Sequence, residues 1–172
     1  MPQHGSQRLY ILRDPSAKQD PERRWALPDR VFFACGACHI LAYAFLEAYP
    51  DAGFQAQWIK PRNGKGNHVV LRRGEEAFDY HGYTKWGDLM SHFRRRNHAR
   101  WPGWDADLIE LPASTLIAGV ESREFEGLFL RGPTEFLHDA LPRARRWLQT
   151  WPAPSHREQP LRGQERSPFV RP

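Results

Sequence analysis

The sequence predicts an α+β fold, and three observations carry that expectation. The run from Cys38 to Tyr49 is apolar on nearly every face, which marks a helix buried in the middle of a domain. Short runs at 54–59, 68–72 and 77–80 have strand length and composition, with turn-forming residues between them. The last two of these read as a β-hairpin, so the sheet is expected to be small and antiparallel. At 172 residues and 40% hydrophobic content, there is enough apolar material for one domain burying roughly two-thirds of its unfolded surface.

Along the chain, Pro2, Pro15, Pro21 and Pro28 interrupt residues 1–30, which are expected to be irregular apart from a short strand at 8–12. A single domain is expected over 31–151. Val31-Phe32-Phe33 leads into the cysteine motif, and Pro50-Asp51-Ala52-Gly53 stops the helix that follows. Phe54 to Ile59 reads as a strand, and the turn-rich loop Pro61-Arg62-Asn63-Gly64-Lys65-Gly66 delivers the chain to His68. After the hairpin, Lys85 to Arg96 reads as a helix with a basic, solvated end. Asp107 to Leu111 reads as a strand, and 113–120 and 134–150 as helices, the second capped by Thr134 and kinked or restarted at Pro142. From residue 152 onward Pro, Arg, Gln and Ser dominate, so 152–172 is expected to be a disordered tail.

Charge and composition narrow the function. The net charge is +5, but the arginines are scattered, so nucleic acid is not the expected partner. No apolar run reaches the 18 residues of a membrane span. The N-terminus shows no basic-then-apolar export pattern, and two cysteines are too few for a disulfide framework. The expected location is the cytoplasm, or a target reached through a specialised secretion system.

Cysteine chemistry can occur only at Cys35 and Cys38, the two cysteines of the chain. Cys38 opens the apolar helix, His68 opens a strand and Asp79 closes the next one. A nucleophile, a base and an orienting acid appear in that order, as thiolate acyl transfer requires. A cysteine at a helix start gains from the helix dipole and the free N–H groups there, which favour the thiolate and can also bind an oxyanion. Cys35, one turn earlier, is expected to be structural.

The hairpin register decides whether His68 and Asp79 meet. With a two-residue turn at Gly74-Glu75, Arg73 faces Glu76, Val70 faces Asp79 and His68 faces His81. His68 and Asp79 are then diagonal neighbours on one face, ~7–8 Å apart between backbones. Val69, Leu71, Phe78 and Tyr80 take the other face as packing surface. A three-residue loop would separate the pair, and a four-residue loop would set them directly opposite.

Gly36-Ala37-Cys38-His39-Ile40-Leu41-Ala42, Asn67-His68-Val69-Val70 and Phe78-Asp79-Tyr80-His81-Gly82 together resemble papain-like cysteine hydrolases of the transglutaminase-like and bacterial deamidase kind. The resemblance covers residues 31–90. It implies a papain-like core with a central Cys-bearing helix, Cys38 as nucleophile, His68 as general base and Asp79 as orienter. It also implies a protein or peptide substrate, amide chemistry through a thioester, and no cofactor. Deamidation of a protein side chain is the first expectation; protease and transglutaminase chemistry share the same steps.

Other readings stay open. Trp101 and Trp104, in Trp101-Pro102-Gly103-Trp104, are candidates to bind substrate, although aromatic loops also cover core edges. Cys35-Gly36-Ala37-Cys38-His39 fits the c-type haem attachment pattern and a redox CxxC. No metal site is expected, because His68 and His81 offer no recognised zinc spacing. A non-catalytic binding module on the same fold is the remaining alternative. Oligomeric state is left open.

Overall fold

A computed structural model describes residues 15–155. The expected strand at 8–12 and most of the expected tail lie outside them. Within the described chain the order is α1 (Pro21–Trp25), α2 (Asp29–Ala34), α3 (Cys38–Ala48), β1 (Gln55–Pro61), β2 (His68–Arg73), β3 (Glu76–Asp79), β4 (Gly82–Lys85), α4 (Trp86–His98), β5 (Ala106–Leu111) and α5 (Ala140–Leu148). The fold is α+β. Five antiparallel strands form one sheet in the order β4-β3-β2-β1-β5. The first four strands form a meander, and α4 carries the chain from the β4 edge back to the β1 edge, where β5 pairs.

Residues 20–30 correct the expectation of an irregular head. Asp20 caps α1 by accepting from the N–H groups of Glu22 and Arg23, both at 3.0 Å. Pro21 holds the first helical position, where its missing N–H costs nothing. Pro28 is the N-cap of α2, and its carbonyl accepts from the N–H groups of Val31 and Phe32, both at 2.9 Å. Prolines that read as interruptions therefore start helices.

Strand alternation builds two cores. Trp58, Val69, Leu71 and Phe78 point to one face and pack with Ile40, Leu41 and Phe45 of α3 and with Ala144 and Leu148 of α5. Ile59, Val70 and Ala77 point to the other and pack with Trp86, Leu89, Met90 and Phe93 of α4 and with Trp104. The face holding His68 and Asp79 is thus also packing surface over most of its area. This is a correction: one face was expected to be left for chemistry. The site occupies only the strand ends.

The C-terminal half is less regular than its sequence suggests. A 3-10 turn at Ala113–Leu116 stands where the first expected helix begins, and of the second only Ala140–Leu148 is α-helical, as α5, capped by Asp139 and not by Thr134. The intervening strap is pinned by side chains: Ser122 Oγ accepts from Leu130 N–H at 3.2 Å and donates to the Gly119 carbonyl at 2.9 Å. Residues 152–155 stay on the domain instead of leaving it as tail. Tyr83 donates to the Pro152 carbonyl at 2.9 Å, and the Arg73 guanidinium donates to the Ser155 carbonyl at 3.0 Å. No helix among the described residues is long and apolar enough to cross a membrane.

Candidate active site

Cys38 is the first residue of α3. Gly36 makes the approach possible with φ +103, a conformation that side chains rarely adopt. A Cβ there would also run into the Arg24 guanidinium. Buried Arg24 donates to the carbonyls of Cys35 and Gly36 at 3.3 and 3.2 Å, fixing the turn that aims Cys38. As a first-turn residue, Cys38 has no intrahelical carbonyl for its own N–H.

The hairpin has the two-residue register: Arg73 pairs with Glu76 and Leu71 with Phe78. The next two-residue turn, Tyr80-His81, joins β3 to β4 with Asp79 paired to Gly82. His68 and Asp79 are consequently diagonal neighbours, and their side chains close the gap directly. His68 Nε2 bonds Asp79 Oδ2 at 2.9 Å, with both side chains almost fully buried. Phe93 stacks on the His68 ring at 5.0 Å between centroids, and Tyr80 meets it edge-on at 5.5 Å. The imidazole is clamped on both sides.

Asp79 has a second set of partners. His81 donates to Oδ1 twice, through its backbone N–H at 2.8 Å and its ring Nδ1 at 2.9 Å. A carboxylate only accepts, so Nδ1 of His81 carries its proton. These bonds reserve Oδ2 for His68. Gly82, at φ +88, lets the turn close against Trp151, whose ring occupies the place of a Cβ.

With Nε2 committed to Asp79, Nδ1 is the nitrogen His68 has left for Cys38, which shares one cleft with the His68 and His39 imidazoles. His39 is buried, and its Nε2 donates to the Arg131 carbonyl at 2.8 Å, which ties the start of α3 to the strap. Burial would raise the Cys38 pKa, but the charge on His68 and the bonds from the two imidazoles hold it well below the ordinary thiol range. Burial would lower His68, yet the Cys38 thiolate and the bond to Asp79 hold it at about 9. Asp79 stays well below the usual carboxylate range, because the bonds from His68 and His81 outweigh its burial. The Cys38 and His68 shifts both favour a thiolate–imidazolium pair. Cys35 differs: burial pushes its thiol up.

A cleft of about 160 Å³ opens beside Cys38 and His68. Trp58, Asn67 and Val69 line it from the sheet, and Leu128, Phe129 and Leu130 from the strap. Phe129 is 81% exposed although it sits at this mouth. Sequence patterns carry no signal for the strap, because 127–130 is irregular chain brought over α3 from about 90 residues away. Asn67 was legible only as part of the motif around His68.

Trp101 and Trp104 do not reach this cleft, which corrects the expectation that they bind substrate there. Trp104 is 2% exposed in the α4 core and donates its indole N–H to the Lys65 carbonyl at 3.0 Å. The ring of Trp101 lies against Gly64. Both brace the loop that leads to His68. A larger depression of about 340 Å³ between Trp25, Arg143 and Trp147 is structural, because Arg143 is spent on Asp29 and on the Trp25 and Leu27 carbonyls. Compared with known proteins, the chain matches no family model, no curated protein and no solved structure.

Proposed function

We propose that this protein is a thiol acyl-transfer enzyme, a cysteine hydrolase or acyltransferase acting on amide bonds, with a papain-like core. The observation that carries the reading is the buried His68–Asp79 pair at 2.9 Å, with His68 and Cys38 lining the same cleft. In this scheme Cys38 Sγ attacks the substrate carbonyl carbon, and the Cys38 N–H receives the developing oxyanion. The His68 imidazolium gives its proton to the leaving amine as the C–N bond breaks, leaving a thioester. His68 then takes a proton from water as it attacks, and the thiolate is restored. Asp79 keeps the ring in the tautomer that presents Nδ1 to these steps. Protein side-chain deamidation, giving a carboxylate and ammonia, is our preferred form, with a protein or peptide as substrate. The short cleft supports it: about 160 Å³ is well under the roughly 300 Å³ at which small-molecule sites usually begin, and suits one side chain.

Haem attachment through the CxxCH motif would need both thiols and an axial nitrogen of His39. Here Cys35 is buried and Nε2 of His39 is already donated to Arg131. The test is acylation by para-nitrophenyl acetate followed by peptide mass mapping. One acetyl group should appear on Cys38 and none in Cys38→Ala. Acetylation absent, or confined to Cys35, would overturn the proposal.

A further inference from the structure

Trp58 lies on β1 and is only 1% exposed, so its indole N–H needs a partner inside the protein. It donates to Asn67 Oδ1 at 2.8 Å. An indole nitrogen only donates, so this bond settles which end of the carboxamide is oxygen. The other end, Nδ2, carries two N–H groups with no acceptor among the described residues. Asn67 is exposed, directly precedes His68 in the chain and lines the same cleft as Cys38. No other side chain lining that cleft, apart from the two histidines engaged with Cys38, offers a free N–H: the rest are Cys38 itself, Trp58, glycine and aliphatic or aromatic groups. Attack by a thiolate moves the carbonyl π pair onto oxygen, and a single backbone N–H at the start of α3 is half of an oxyanion site.

We infer that Asn67 is a catalytic residue whose Nδ2 donates to the reacting carbonyl oxygen of the substrate, and that Trp58 is the positioning residue that fixes its orientation. The inference rests on the acyl-transfer reading above. The chemistry balances without any added reagent: sulfur bonds to the carbonyl carbon, the oxygen takes the π pair, and the C=O re-forms as the leaving group departs with the other pair. Asn67 Nδ2 and Cys38 N–H hold the oxygen throughout. No proton is transferred to it.

Two probes of the intact protein separate this role from simple thiolate reactivity. Acylation by para-nitrophenyl acetate passes through an oxyanion, whereas alkylation by iodoacetamide displaces iodide directly and forms none. The readout is the ratio of the two rates at Cys38. Asn67→Ala should lower that ratio about a hundredfold, the loss typical of one oxyanion donor. Asn67→Asp keeps an acceptor for the Trp58 indole but has no donor, and should lower the ratio similarly while melting near the unsubstituted protein. Trp58→Phe frees the amide to rotate and should lower it less. In an Asn67→Ala background Trp58→Phe should lower it no further. If Asn67 serves only to satisfy the indole, Asn67→Asp will leave the ratio unchanged, and that result overturns the inference. Failure of the unsubstituted protein to acylate at all would instead overturn the acyl-transfer reading on which the inference rests.

Discussion

Replacing Asp79 by asparagine tests the relay with the least disturbance to the fold. The amide oxygen can occupy the Oδ1 position and keep both donors of His81, at 2.8 and 2.9 Å in the native protein. The amide nitrogen then takes the place of Oδ2 and faces His68 Nε2 across 2.9 Å. Two donors cannot share that contact. The imidazole resolves it by moving its proton to Nδ1, so that Nε2 accepts from the amide group of the new side chain. The three bonds of the Asp79 side chain are kept and one amide N–H is left without an acceptor, so the stability loss should be about 1–3 kcal/mol. Activity behaves differently. In the new tautomer the nitrogen facing Cys38 already carries a proton, so His68 can neither accept one nor hold the thiolate as its ion-pair partner. Freezing a triad imidazole in the wrong tautomer costs about 10⁴ in turnover, or about 5 kcal/mol of transition-state stabilisation. The assay is acylation by para-nitrophenyl acetate, with thermal melting run in parallel. A cooperative melt with a 10⁴-fold slower reaction is the expected outcome. Retention of more than a tenth of the rate in a folded variant would refute the claim that Asp79 sets the tautomer of His68.

Three further outcomes follow from the same geometry. His68→Ala removes the charge that holds Cys38 low, so the midpoint of iodoacetamide alkylation against pH should rise toward ~8.5, the value of a free thiol; a midpoint that stays low would assign the effect to His39 and the helix start. Stability against pH should show a plateau. His68, raised to about 9, contributes stability that is complete below its unfolded ~6.5 and lost as pH rises through about 9. Cys38, lowered, contributes stability that is complete above its unfolded ~8.5 and lost as pH falls toward its folded value. Between ~6.5 and ~8.5 the folded pair and the unfolded pair each bind one proton, and the opposing slopes cancel. Chemical denaturation across that window should give a flat contribution from the pair, seen as the difference between the native protein and a Cys38→Ala/His68→Ala variant; a difference sloping through the window would contradict the ion pair. Gly82→Ala forces a side chain into φ +88 and into the Trp151 ring, so it should destabilise by more than about 1–2 kcal/mol. If the melting temperature of Gly82→Ala matches the native one, the Tyr80-His81 turn is looser than the structure shows.

Local chemistry made a large part of this protein legible in its sequence. The apolar run that opens at Cys38 is α3, because a segment without a polar face has nowhere stable except between layers. The Gly74-Glu75 turn set the hairpin register, and a period of two then put His68 and Asp79 on one face. The prolines of the head were misread because Pro21 and Pro28 sit where a helix begins, and only the capping geometry of Asp20 shows that. Trp101 and Trp104 were misread because an aromatic loop has the same composition whether it meets a ligand or, as here, a helix. What the sequence could not hold was everything that depends on distant chain. Arg24 grips the turn before Cys38, and Arg131 and Phe129 arrive from the far end to fix His39 and form the mouth of the cleft. Hydrogen bonds of this kind join residues with no periodic relation in the chain. They exist only once the two cores have packed and burial has left those groups no water to bond instead.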